Sequence, residues 1–117
     1  MIQEDPNGKS AHEPGAKLDA HKSLAGLVLG DFAPALERVA DVGTYGANKY
    51  TKSGWKSVPQ AAERYYDALW RHLLRDAMGE VVDVESGLSH KAHIAWNALA
   101  VLYFAEQDKL ARTYVCQ

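Results

Sequence analysis

Cysteine is nearly missing from this 117-residue chain, with Cys116 as the one thiol. A disulfide within the chain is excluded, as is a zinc site built from thiolates. No apolar run approaches the ~18 residues that cross a bilayer, and the first residues are polar and acidic, without the basic and apolar stretches of a secretory signal. A cytoplasmic protein with no membrane attachment is expected. A net charge of −2, from 13 basic and 15 acidic residues, lacks the basic footprint of a binder of polymeric nucleic acid. The hydrophobic share of 47% and charged share of 24% are those of an ordinary globular domain.

What is present reads as helix. Residues 1–16 hold Pro6, Pro14, Gly8 and Gly15 with no apolar period, which predicts an N-terminal arm, loose by itself. Residues 17–117 read as a single helical domain. Within it, residues 17–30 leave strand, turn and extended segment open. Asp31 is a candidate cap for a helix from Phe32 to about Gly43, with Pro34 in the first turn. The glycines that follow predict a loop bearing Tyr45, Lys49, Tyr50 and Trp55. Ser57-Val58-Pro59-Gln60 predicts the start of a second helix, running to about Met78 and stopped by Gly79. Its apolar stripe is Ala62, Tyr66, Leu69, Leu73 and Ala77, widened by Tyr65, Trp70 and Leu74. Ser89 predicts the cap of a third helix to about Gln107, burying Ile94, Ala98, Val101, Leu102 and Ala105, and Trp70 and Trp96 are assigned to the core. The expected fold is all-α: a small helical bundle with an extended N-terminal arm. Wide apolar faces on these helices predict a homo-oligomer that completes the bundle.

The chemistry concentrates between residues 72 and 97. His90, His93 and Asn97 stand at i, i+3 and i+7, on one side of their helix. His72 comes one helix earlier and folds toward them if the two helices pack antiparallel. Glu80, Asp83 and Glu85 lie in the connector between, where carboxylates can hold Mg²⁺ across a substrate's phosphates or stand as solvated surface charge. Lys49, Arg64 and Arg71 offer cationic groups to an anion. Tyr50, Trp55 and Tyr65 can stack on a base, and Asn97 can orient one. Phosphate-loop, zinc-protease and adjacent His-Asp signatures are missing.

These residues also resemble a known group, the phage-type dATP/dGTP diphosphohydrolase N-terminal domain family. The likeness lies in Lys17-Leu18-Asp19, in Tyr45-Gly46-Ala47-Asn48-Lys49-Tyr50 followed by Trp55, in Arg64-Tyr65 through Leu69, and in Arg71-His72-Leu73. It continues through Gly79-Glu80, Asp83, Glu85-Ser86-Gly87-Leu88-Ser89-His90, His93 and Asn97, spanning roughly residues 17–105. The resemblance implies a helical phage or prophage protein of the host cytoplasm, related to the all-α nucleotide pyrophosphohydrolases. Those release pyrophosphate from nucleoside triphosphates with Mg²⁺ held by paired ExxE-type motifs. Here Glu63 and Asp67 stand alone on the second helix and the acidic cluster sits in the connector.

Two functions follow as expectations. In the first, a metal-dependent purine (d)NTP diphosphohydrolase, Glu80, Asp83 and Glu85 hold Mg²⁺ while His72, His90 or His93 handles the proton. Lys49, Arg64 and Arg71 then grip phosphate, and aromatic side chains hold the base. In the second, the same pocket binds without turnover, as a sponge for a nucleotide signal of antiphage defence such as a cyclic dinucleotide or an ADP-ribose derivative.

Overall fold

The computed structural model describes residues 2–115, with side chains through Ala111; Cys116 lies outside the described residues. They form four α-helices: α1 (Ala25–Asp31), α2 (Ala33–Lys49), α3 (Ala61–Ala77) and α4 (His90–Val115), with a short 3₁₀ turn at Gly54–Ser57. The all-α expectation holds. No helix among the described residues is long and apolar enough to cross a membrane. The chain divides into two compact units, one ending at Ala33 and one beginning at Pro34.

In the first unit the arm is tied down by one carboxylate. Asp5 accepts the backbone N–H of Asn7 and of Lys17, both at 2.7 Å. Those N–H groups, Lys17 first, hold its pKa below the usual carboxylate range. The Ala20 N–H reaches the Glu4 carbonyl at 2.8 Å, and His21 pairs with Glu4 at 3.1 Å. The segment predicted to be loose therefore folds back on residues 17–21. The unassigned apolar stretch supplies α1, which buries none of its residues.

In the second unit α2 runs through Gly43 and Gly46 to Lys49, where a loop was expected. An interior glycine costs a helix about 1 kcal/mol, which packing can outweigh; Val42 is buried. A Cβ on Gly43 would lie 3.2 Å from the Trp96 indole nitrogen, so glycine permits this close approach of α2 to α4. The expected Ser57 cap is not used. Ser57 ends the 3₁₀ turn, and Gln60, left-handed at φ 54°, leads into α3 instead. The detour turns Trp55 into an aromatic cluster, with ring centres 5.6 Å from Trp96, 5.0 Å from Tyr103 and 5.7 Å from Phe104. Tyr65 joins it, 5.4 Å from Trp96.

Gly79 stops α3 as predicted. At φ 95° its N–H bonds to the Asp76 carbonyl and that of Glu80 to the Arg75 carbonyl, each at 3.0 Å, the paired closure of a Schellman motif. Ser89 caps α4 as predicted, its hydroxyl accepting the Ala92 N–H at 3.1 Å. Between them the connector is pinned by an isolated antiparallel bridge from Val82 to Ser89.

The buried seams differ from the expected stripes. On α3 the packed positions are Ala61, Tyr65, Ala68, Leu69, His72, Leu73 and Asp76, while Ala62, Tyr66, Trp70, Leu74 and Ala77 are exposed. Trp70, assigned to the core, is 45% exposed. On α4 the buried residues are His90, Ala92, His93, Asn97 and Ala100; of the expected stripe Ile94 and Val101 are half-buried, whereas Ala98, Leu102 and Ala105 face outward. Reading stripes from apolar residues misplaces such a seam, because hydrogen bonds let polar residues occupy it.

A histidine centre as the candidate functional site

The Schellman stop on α3 aims the chain back along that helix, and the bridge at Val82 and Ser89 sets where α4 begins. The Asp83 N–H bonds to the Leu88 carbonyl and the His90 N–H to the Val81 carbonyl, at 2.8 and 2.9 Å. Gly87, at φ 73°, completes the tight turn. Ser86 is fixed inside it, its N–H donating to Asp83 Oδ2 at 2.9 Å and its Oγ accepting the Leu88 N–H at 3.2 Å. This loop carries Glu80, Asp83 and Ser86 to the first turn of α4, opposite His72 on α3.

The side chains then meet. His72 Nδ1 and His90 Nδ1 are 2.8 Å apart, and the far nitrogen of His90, Nε2, lies 2.9 Å from Glu80 Oε2. The His72 ring stacks on His93, centres 4.3 Å apart and planes 8° from parallel. His93 Nε2 contacts Ser86 Oγ at 2.7 Å and Asp83 Oδ2 at 3.7 Å. His90 retains 2% of its surface and His93 7%, so the centre lies inside the helix pair. Asn97 is buried one turn on, donating to the His93 carbonyl at 2.8 Å.

Protonation follows from these surroundings. Burial pushes His72 down to about 4, helped by the nearby His93. Burial likewise lowers His93, against the opposing charge of Asp83. Both rings are neutral at pH 7. Burial by itself would raise Asp83, but the N–H and hydroxyl of Ser86 outweigh it and keep the carboxyl below its ordinary value. The stacked His72 and His93 are thus a pair of neutral imidazoles beside an ionised carboxylate.

The other sequence-derived candidates are placed as follows. Of the three connector carboxylates, Glu80 serves His90, Asp83 faces His93 and Ser86, and Glu85 pairs with Lys49. Lys49 and then Tyr45 hold the Glu85 carboxyl below its ordinary pKa, and Glu85 holds the Lys49 ammonium above its own. Tyr50 is 73% exposed, its ring 5.1 Å from the Lys49 ammonium. Trp55 and Tyr65 belong to the aromatic cluster. Arg64 and Arg71 are exposed on α3, and Arg64 reaches the Pro59 carbonyl at 3.3 Å. The donor atoms of His72, Asp83 and His90 all lie within 4.8 Å of one another, close enough for one metal ion. Sequence reasoning passed over Ser86 as a site residue. The signal was there in Asp83-x-x-Ser86-Gly87, where a carboxylate receives the N–H of a tight turn and fixes the next hydroxyl.

A part-buried His-Asp-Ser cluster at the mouth of a helical hairpin defines a helical protein with a polar centre whose donors could hold a metal ion. The family it falls in is narrower. Residues 12–113 match the family described as dATP/dGTP diphosphohydrolase, N-terminal, and the chain belongs to that family. It is similar to a protein of Salmonella phage PMBT28 named dATP/dGTP diphosphohydrolase, 33% identical over 89 residues. That alignment covers 76% of this chain and 29% of the phage protein, so the chain spans under a third of its relative. No solved structure matches it.

Proposed function

We propose that this protein acts on purine deoxynucleoside triphosphates as a diphosphohydrolase. The reading rests on the convergence of His72, His90, His93 and Asp83 in a chain of this family. Water attacks phosphorus, the new P–O bond forms as the anhydride P–O bond breaks, and pyrophosphate leaves with a deoxynucleoside monophosphate as co-product. The water's proton passes to His93, which is neutral at pH 7, with Ser86 as relay and Asp83 stabilising the imidazolium. Arg71, next to His72 on α3, and Lys49, once it leaves Glu85, supply positive charge to the phosphates.

The family resemblance implies Mg²⁺. A hard, oxygen-seeking ion fits poorly as the resident cofactor of a centre whose donors are imidazole nitrogens with one carboxylate, and no step is assigned to it. Mg²⁺ carried by the substrate's own phosphates is a separate matter.

The test is chromatographic: dATP or dGTP incubated with the protein and a panel of divalent cations, with pyrophosphate and monophosphate as products. His93→Gln lowers turnover at least about a hundredfold, the range of a lost general base. Unaltered nucleotide recovered from heat-denatured protein, with no pyrophosphate formed, replaces hydrolysis by sequestration.

A further inference from the structure

Two ring nitrogens of the same kind facing each other across 2.8 Å make an unusual contact, because each neutral imidazole carries one N–H and one lone pair. Glu80 decides which is which at His90. The Glu80 carboxylate, 2.9 Å from Nε2, accepts a hydrogen bond from it, which selects the His90 tautomer with its hydrogen on Nε2 and aims the lone pair of Nδ1 at His72. That is how a carboxylate outside a metal site sets the tautomer of a ligating histidine. His90 is held there with 2% exposure, while His72 and Asp83 are half-buried and reachable from solvent.

We propose that His72 Nδ1, His90 Nδ1 and the Asp83 carboxylate form a binding site for one borderline first-row divalent cation of the Zn²⁺, Co²⁺ or Ni²⁺ class, with Glu80 as a positioning residue. This deepens the hydrolase reading by naming the cation of the same centre, yet cation binding does not require turnover. Imidazole nitrogens favour these ions over Mg²⁺ or Ca²⁺, which take oxygen. Bonds of about 2.0–2.1 Å to a tetrahedral ion put neighbouring donors about 3.3 Å apart. The present nitrogens need to part only slightly from 2.8 Å, the His72 hydrogen passing from Nδ1 to Nε2 as the ion binds, and a carboxylate oxygen of Asp83 already lies within 4.8 Å of a ring nitrogen of each histidine. Backbone contacts of the turn hold Asp83 in place, because the Ser86 N–H binds its Oδ2. With three protein donors the ion keeps an open position for water or a phosphate oxygen. His93, stacked on His72 and outside the donor set, stays free for the proton.

The experiment uses the full chain, stripped with EDTA, dialysed, and free of nucleotide. Zn²⁺ is titrated by calorimetry, and Co²⁺ by its visible absorption, with Mg²⁺ as the reference ion. One Zn²⁺ per chain is expected at micromolar affinity or tighter, together with a Co²⁺ ligand-field spectrum that Zn²⁺ bleaches and Mg²⁺ does not. His72→Gln, at a half-buried position, removes the one-to-one binding while the far-ultraviolet circular dichroism stays helical. Glu80→Gln weakens it by about 10- to 100-fold, the usual effect of losing a ligand's outer carboxylate. Wild-type protein that prefers Zn²⁺ no more than Mg²⁺, or variants that bind Zn²⁺ as the wild type does, overturns the proposal. Zn²⁺ binding without pyrophosphate production leaves the metal site standing and removes the hydrolase; pyrophosphate production with no such binding does the reverse.

Discussion

The two ends of the α3–α4 interface bury their side chains by opposite means. Away from the connector, Trp55, Tyr65, Trp96, Tyr103 and Phe104 meet edge to face, with Tyr65 and Phe104 near parallel, and directional hydrogen bonding is confined to the Tyr65 hydroxyl on the Trp55 carbonyl at 3.4 Å. At the connector, His72, His90, His93, Glu80, Asp83 and Ser86 fill the same kind of space with polar atoms. No buried side-chain nitrogen or oxygen among the described residues lacks a partner. The aromatic end gains from area removed from water. The histidine end gains little net from its bonds and is costly if one is broken. One helix pair thus combines a region held by apolar packing with a region held by mutually bonded polar atoms.

Truncation should separate the ends most sharply. Trp96→Ala removes a half-buried indole that touches Trp55 and Tyr65, and should cost about 2–4 kcal/mol, toward the low side of the range for large aromatic deletions. His93→Gln, which keeps a polar group near Ser86, should cost about 1 kcal/mol. Guanidinium unfolding followed by circular dichroism measures both. Equal losses would mean that the histidine centre carries as much of the fold as the aromatic cluster, and the division drawn here would fail.

How much of this the sequence disclosed depends on the kind of signal. Ser89, Gly79 and the one-sided spacing of His90, His93 and Asn97 are local and were legible, since caps and helical period depend on neighbours a few residues away. Lys49 with Glu85 and His72 with His90 depend on the path of the connector; helix-hairpin reasoning foresaw the second pair and missed the first. The start of α3 was misplaced because Ser57-x-Pro59 is a sound helix opening, overridden by the pull of Trp55 into the cluster. The buried seam of α4 was misplaced for a deeper reason. Apolar stripes locate a seam only where the seam is apolar, and here its first two turns are His90, His93 and Asn97. The sequence-based conflict between apolar pattern and polar cluster falls on this same stretch of α4.

Acid should weaken one end and spare the other. In the metal-free protein His72 titrates at about 4 because burial and the nearby His93 oppose its charge, and His93 is lowered for the same first reason. An unfolded histidine titrates near 6.5. Between those values the unfolded chain holds more protons than the folded one, so stability is full above about pH 6.5 and falls as the pH drops toward about 4. Thermal melts of EDTA-treated protein at pH 7, 6 and 5 should show the midpoint falling. His72→Gln should flatten that slope, whereas Trp96→Ala should lower every midpoint and leave the slope unchanged. A slope that His72→Gln does not alter would assign the acid sensitivity to other groups.

The smallest effect concerns the Lys49–Glu85 pair, which lies on the surface beside the centre. Its partners are exposed, so water and salt screen the attraction and holding two long side chains together costs entropy. Lys49→Ala should therefore leave the denaturant midpoint within experimental error. A phosphate that recruits Lys49 must displace Glu85, and the gain is the difference between two screened attractions. The variant should then raise KM for the deoxynucleotide a fewfold with kcat nearly constant, as expected when binding is lost equally from the ground and transition states. That rise should shrink as salt is added. A fall in kcat with unchanged KM would instead place Lys49 against the leaving pyrophosphate, and the active region would then extend from the buried histidines out to the α2 surface.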